Sequence, residues 1–341
     1  MRVEGTTVGI SGIGGFIGSH LVTRALSRGM KVKGVDSSPA AVDAIAARHR
    51  ANPNFLGGFT GDVADPESAI SLCRDCDIVF HAAAILDVGS TFENSRRVNV
   101  RGTEVVAQAA RDCGVRRFIH FSSVMVYGFS FPKYVAEDGP RRGENDPYCQ
   151  TKIESEEAVW RFHDKVNGGM EVIVIRPGDV YGPRSVTWVL GPLMLMKRGA
   201  FRLPDGGAGC MNHVHVENLL DAIFLALEND QATGEAYNVT DGGNTTWLEF
   251  YSRLAEIAEV EKPQTMRMDL LVALLTLEEG FAPPGRQVTS PNAPYFLSRP
   301  HPYSIEKART RLGYTPKISL DEGMIEIAAF LAKTNILRSR M

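Results

Sequence analysis

The stretch VGISGIGGFIGSHLV, residues 8 to 22, constrains the fold of this chain more than any other. It sets Gly12, Gly15 and Gly18 three apart, directly after a β-branched run and at the opening of a helical pattern that starts with Phe16 and Ile17. Glycine lets the backbone turn tightly and approach a pyrophosphate, whose charge is met by free N–H groups and by the positive end of the helix. A dinucleotide site is therefore expected around Gly12, Gly15, Phe16, Ile17 and Gly18. The next β-branched run ends at Asp36, about 20 residues further on, where an acid accepts the adenosine ribose hydroxyls. Asp36 would repel a 2′-phosphate, and the residues that follow it, Ser37, Ser38, Pro39 and Ala40, offer no adjacent arginine. NAD is expected over NADP, with Lys33 and Arg48 as the cations that could swing in toward a 2′-phosphate. In GDV, Asp62 and Val63 either hold the adenine edge or form a plain turn.

The first ~180 residues alternate short β-branched runs with helical patterns, which is the signature of βαβ units. Strands are expected at 7–11, 31–36, 54–59, 77–82, 117–123 and 171–177, with helices beginning near Phe16, Pro39, Pro66, Thr91 and Pro147. The fold class is α/β, a Rossmann-type doubly wound parallel sheet. After Pro183 the rhythm changes, with helices expected at 188–198, 217–229 and 246–259, a strand at 212–216, and no clean period over 262–303. The chain divides into a dinucleotide-binding domain, 1–183, carrying the reactive residues, and a smaller α+β substrate lobe, 184–341, with some segments returning to the first domain.

Composition narrows the partners. A net charge of -3 over 341 residues gives no basic footprint for nucleic acid, so the expected partner is a small molecule. The longest apolar runs, WVLGPLMLM and LLVALLTL, fall well short of the roughly 20 residues that span a bilayer. The N-terminus enters a strand-like run at once, and a cytoplasmic protein is expected. Five cysteines, an odd number, point to reduced thiols; the Cys73/Cys76 pair lacks a second half-site and reads as structural. His213 and His215 share one face of a strand, but no third ligand accompanies them, and no metal is expected.

Tyr148 and Lys152 stand four apart in DPYCQTKIESEEA and share one helix face. The pair alone is ambiguous between an active site and an incidental surface pattern. Glu154, Glu156 and Glu157 read as solvated surface.

In order along the chain, the glycine turn, HAAA (81–84), NVRGT (99–103), FSSVMVYG (121–128), YCQTK (148–152), RPGDVYGP (176–183), HVHVENLLDAI (213–223), YNVTDG (237–242) and KARTRLGYTP (307–316) resemble the extended short-chain dehydrogenase/reductase family. The pattern is most like its 3β-hydroxysteroid dehydrogenase-like branch, with nucleotide-sugar epimerases and dehydratases as cousins. The resemblance implies that Tyr148 is the general acid/base, that Lys152 binds the nicotinamide ribose and tunes Tyr148, and that Ser123 bonds the substrate oxygen. Strand alternation sends Ser122 the other way. Asn99 matches a helix asparagine that supports the lysine and a proton-relay water; otherwise it is a buried polar group. Ala82, Ala83 and Ala84 either give the cofactor close passage or pack the core, and Pro177 and Val180 would lie by the carboxamide.

Asp179 departs from the asparagine common in sugar enzymes, and its role is open. CMNHVHV lacks the Arg-Asp pair with which such enzymes grip a diphosphate. Residues 188–196 line a pocket or pack a core. The expected reaction interconverts a secondary alcohol and a ketone on an apolar or ring-containing molecule. The alternatives are an epimerase or dehydratase that retains NAD and a non-catalytic dinucleotide sensor. The resemblance also implies a homodimer through two helices of the first domain, one carrying Tyr148.

Overall fold

A computed structural model describes residues 2–86, 90–281 and 289–334. In the first half, strands β1 (Thr7–Ser11), β2 (Lys31–Asp36), β3 (Phe55–Thr60), β4 (Ile78–His81), β5 (Arg117–Phe121) and β6 (Glu171–Pro177) alternate with helices α1 (Phe16–Ser27), α2 (Pro39–His49), α3 (Pro66–Cys73), α4 (Phe92–Ser95), α5 (Gly102–Asp112) and α6 (Pro147–Trp160). A π-helical stretch, Arg96–Arg101, joins α4 to α5. The second half adds β7 (Asp179–Tyr181), α7 (Gly191–Lys197), β8 (Arg202–Pro204), β9 (His213–His215), α8 (Val216–Glu228), β10 (Ala236–Val239), α9 (Trp247–Ile257), β11 (Gln264–Met266), α10 (Met268–Phe281), α11 (Ala293–Leu297) and α12 (Leu320–Thr334).

Seven strands form one parallel sheet in the order β10-β6-β5-β4-β1-β2-β3, so the expected doubly wound architecture is present. Its strands read as near-continuous apolar runs because helices cover both faces. On one face Leu21, Val22 and Ala25 of α1 and Leu219, Ile223 and Phe224 of α8 bury against Ile10, Phe80 and Ile119. On the other, Leu72 of α3 and Val106 and Ala110 of α5 cover Val79, Phe118 and Val172. The strand order reverses between β1 and β4, and in such sheets ligands bind beyond the strand ends at that point. β10, from the second half of the chain, pairs with β6 and extends the sheet at that edge.

A third core, built on Trp247, Phe250, Tyr251 and Leu254 of α9 with Leu193 and Met196 of α7, lies over the strand ends. Residues 262–303 hold β11, α10 and α11, with 282–288 outside the described residues. Their period is hidden because α10 is apolar on all sides: Leu271 and Leu275 are buried, whereas Leu270, Leu277 and Phe281 are exposed. Among the described residues no helix is long and apolar enough to cross a membrane.

Candidate active site

The turn between β1 and α1 depends on its glycines for two different reasons. Gly12 has φ +69°, and a Cβ there would come within 3.0 Å of the Ala83 backbone. A Cβ on Gly18 would meet the Gly12 carbonyl oxygen at 2.0 Å, so α1 could not sit so close to the turn. No acidic residue occupies the first turn of α1, which leaves its positive end available to an anion.

The backbone at Ala83 is held from below. Its N–H donates to Ser11 Oγ at 3.2 Å, Ser11 Oγ lies 2.8 Å from His81 Nδ1, and His81 Nε2 lies 3.1 Å from Thr103 Oγ1. Thr103 gives its own proton to the Asn99 carbonyl at 2.7 Å. It must therefore accept from Nε2–H, which leaves Nδ1 to accept from Ser11. Burial pulls His81 down to about 3, consistent with this neutral tautomer. Sequence reading passed over Ser11 and His81, although the histidine opens HAAA.

At the end of β2, Asp36 accepts the Gly14 amide on Oδ2 and the Ser38 amide on Oδ1, each at 3.0 Å, which ties the glycine turn to the acid. Asp62 accepts the Ala64 amide at 2.9 Å and pairs with Arg97.

α6 begins sharply because Asp146 caps it, with Oδ1 accepting the amides of Tyr148 and Cys149 at 3.0 Å each, and Pro147 fills the first helical position. This start turns Tyr148 and Lys152 toward the end of β5. Ser123 Oγ accepts the Met125 amide at 3.1 Å, which leaves its own proton to donate, and Ser123 borders the same cavity as Tyr148. Lys152 Nζ donates to the Phe121 carbonyl at 2.8 Å and lies 5.7 Å from the Tyr148 ring centroid. Burial pulls Lys152 down to about 8, with the Glu156 charge opposing it. Burial raises the Tyr148 pKa while Ser123 lowers it.

One expectation changes here, and one open alternative gains a position. Glu156 is not solvated surface: it is fully buried, accepting from Arg176 Nε at 2.8 Å and Nη2 at 2.6 Å and from the Ser122 hydroxyl. α6 buries more than one face, and the charge that compensates Glu156 comes from β6, 20 residues away in sequence. Ser122 and Ser123 do point apart, one to this ion pair and one to Tyr148. Asn99 has a bracing position away from the cavity. Its Oδ1 accepts the Ile85 amide at 2.7 Å, and Nδ2 donates to the Ile85 carbonyl at 3.1 Å and to Thr151 Oγ1 at 3.0 Å, linking α6 to the chain after β4.

Apart from Asn99, every candidate residue named from the sequence borders one cavity of about 990 Å³ at the carboxyl ends of the strands. One end lies between Gly12, Asp36 and Asp62; the middle passes Ala83, Ser123, Tyr148, Lys152, Pro177 and Val180. The far end is walled by Met125, Trp188, Leu195, Phe201, Tyr251 and Phe296. Residues 188–196 thus divide, Trp188 and Leu195 facing the cavity and Val189 and Leu193 packing the core. The tight glycine cradle, the acid at the β2 end and the continuous space to Tyr148 fit a bound dinucleotide. Asp179 also borders the cavity and is paired with the wholly buried Arg299, a cation that the sequence did not single out.

His213 is satisfied by Asp241 at 3.0 Å and Thr245 at 2.9 Å, and His215 stacks edge-on against Tyr181. Cys73 and Cys76 are buried free thiols, and burial pushes the Cys76 thiol up to about 11.

Comparison with known proteins agrees with this geometry. The model of the NAD dependent epimerase/dehydratase family matches residues 8–240. Among curated relatives, a 4-hydroxy-2-methyl-3-oxo-4-farnesyl-3,4-dihydroquinoline-1-oxide ketoreductase of Stigmatella aurantiaca is 27% identical over 92% of this chain and 93% of its own. A 3-beta-hydroxysteroid dehydrogenase of Mycolicibacterium neoaurum is 28% identical, covering 96% of this chain and 91% of its own. Among solved structures, the UDP-glucuronic acid 4-epimerase of Bacillus cereus, in complex with UDP-glucuronic acid and NAD, has the same fold, with a TM-score of 0.77 at 22% identity over 96% of this chain and 99% of its own. The chain belongs to the NAD-dependent epimerase/dehydratase family of extended short-chain dehydrogenases/reductases and is an oxidoreductase acting on CH–OH groups.

Proposed function

We propose that this protein is an NAD-dependent dehydrogenase or ketoreductase that interconverts a secondary alcohol and a ketone on a small apolar, ring-containing substrate. The observation that carries the reading is the far wall of the cavity: beyond Ser123 and Tyr148 it is formed by Met125, Trp188, Leu195, Phe201 and Phe296. Such a surface suits an apolar body with few polar anchors. The buried Arg299 is committed to Asp179 and does not border the cavity, which argues against a diphosphate grip. The names of the ketoreductase and hydroxysteroid dehydrogenase relatives are in keeping with this substrate class.

Bound NAD supplies the hydride acceptor or, reduced, the donor. Ser123 Oγ donates to the substrate oxygen, and Tyr148 Oη exchanges the proton with it. Burial favours the protonated tyrosine, the form that serves as acid in ketone reduction. Lys152, fixed by the Phe121 carbonyl, holds its ammonium beneath the tyrosine ring for the nicotinamide ribose. Asp36 selects NAD by accepting the adenosine ribose hydroxyls, and Asn99 steadies α6. Residues 1–183 carry the cofactor and reactive groups, 184–341 shape the substrate pocket, and the enzyme works as a cytoplasmic homodimer.

The test is to denature purified protein and assay released NAD, alongside turnover of an alcohol and ketone panel. Accumulating NADH with alcohols supports the reading. Stoichiometric NAD retained without net redox would replace it with an internal-redox epimerase or dehydratase, and retained cofactor without turnover of any compound with a sensor.

A further inference from the structure

Asp179 opens β7 immediately beyond the end of β6, borders the cavity and is only 3% exposed. Its two oxygens are used unequally. Oδ2 accepts Arg299 Nη2 at 2.7 Å and the Asn212 amide at 3.0 Å, whereas Oδ1 accepts no hydrogen bond from the described residues. Arg299 is itself held by other partners: the guanidinium carbon lies 3.9 Å from the Phe296 ring centroid, Nε donates to the Phe296 carbonyl at 3.0 Å, and Nη1 lies 3.4 Å from the Tyr303 hydroxyl. Charge compensation thus comes from the back of the carboxylate, and its unused lone pairs are left at the cavity. Buried polar atoms are nearly always hydrogen-bonded, so a cavity-facing oxygen without a protein partner marks a place where a ligand supplies the donor. The position is close to the chemistry. The Tyr148 pKa is raised chiefly by burial and in smaller part by the charge of Asp179.

We propose that Asp179 is a specificity-determining residue, whose Oδ1 accepts a hydrogen bond from a second hydroxyl or an ammonium group on the substrate, away from the reacting carbon. Its negative charge also turns away substrates with a carboxylate or phosphate at that position. The site thereby takes a hydroxylated or aminated apolar alcohol and disfavours an anionic one. This rests on the dehydrogenase reading above and specifies its substrate class.

The test uses the full chain with NAD and four matched secondary alcohols: cyclohexanol and its hydroxy-, amino- and carboxy-substituted analogues, with each ring isomer assayed. A hydrogen bond to a charged group predicts that the best hydroxy or amino isomer exceeds cyclohexanol in kcat/KM by about ten-fold or more, with the carboxy analogues below cyclohexanol by a similar factor. Asp179→Asn keeps an oxygen for Arg299 and the Asn212 amide but replaces the Oδ1 acceptor with a donor. It is expected to bring both ratios to within about two-fold of one. If that variant does not fold, the wild-type ratios decide. Turnover with flat ratios, or with the carboxy analogues preferred, overturns the assignment and leaves the dehydrogenase reading standing. Absence of turnover for all four, with NAD retained on the protein, overturns both.

Discussion

Glu156 accepts two hydrogen bonds from Arg176, at 2.8 Å and 2.6 Å, one helical turn beyond Lys152 and out of contact with solvent. The same arginine donates to the Tyr127 hydroxyl at 2.7 Å and to the Glu137 carbonyl at 2.9 Å, so the pair joins α6, β6 and the loop after β5 in one buried network. Removing one partner of such a pair leaves an uncompensated charge. Glu156→Ala should therefore lower stability by about 3–5 kcal/mol in chemical denaturation. A loss below about 1 kcal/mol would be that of an exposed pair and would contradict the buried network.

Tyr148→Phe keeps the ring beside Lys152 and removes the oxygen proposed to move the proton. Turnover should fall by about a hundred-fold or more, while NAD affinity stays within a few-fold. Near-normal activity in this variant would assign the acid/base role elsewhere.

Asp36 accepts the amides of Gly14 and Ser38 at the end of β2 and is the residue proposed to read the adenosine ribose. Asp36→Ala should raise kcat/KM with NADP relative to NAD. An unchanged ratio would mean that another residue reads the ribose.

Lys152 is the group whose titration reaches furthest. Burial depresses it to about 8 in the folded chain, against an ordinary value of 10.5. Below about 8 both folded and unfolded chains carry the proton; between that value and 10.5 the unfolded chain binds more, so this residue's contribution makes stability rise with pH across that window. Its ammonium disappears over the same range, and NADH affinity in a fluorescence titration should weaken as pH rises through about 8. Lys152→Met should lose that inflection. The same inflection in the variant would place the titrating group elsewhere.

Much of this was legible in order and spacing. Six of the seven sheet strands were located to within a residue or two because βαβ units repeat apolar runs and turn residues at short range, whereas β10, which joins the sheet from the second half of the chain, was not expected. The glycine turn and Asp36 were legible from their spacing and strand context, whereas Ser123, Tyr148 and Lys152 were singled out by the family resemblance, and the structure sets all of them on one cavity. Three features escaped. Glu156 looked like part of a charged surface because its partner lies in another strand. Arg299 lay in a stretch whose period was obscured by an all-round apolar helix. Ser11 and His81 support Ala83 through a chain of bonds between β1, β4 and the helix after the π-helical stretch.

The sequence by itself determined the parallel sheet and the glycine turn and set Tyr148 and Lys152 on one helix face, since periodicity and i, i+4 spacing are local properties of the chain; the roles proposed for that pair came from the family resemblance. Only the tertiary structure decided what faces the substrate. That depends on which charges from distant segments meet: the pairing of Asp179 with Arg299 across 120 residues sets a compensated carboxylate residue on the cavity wall.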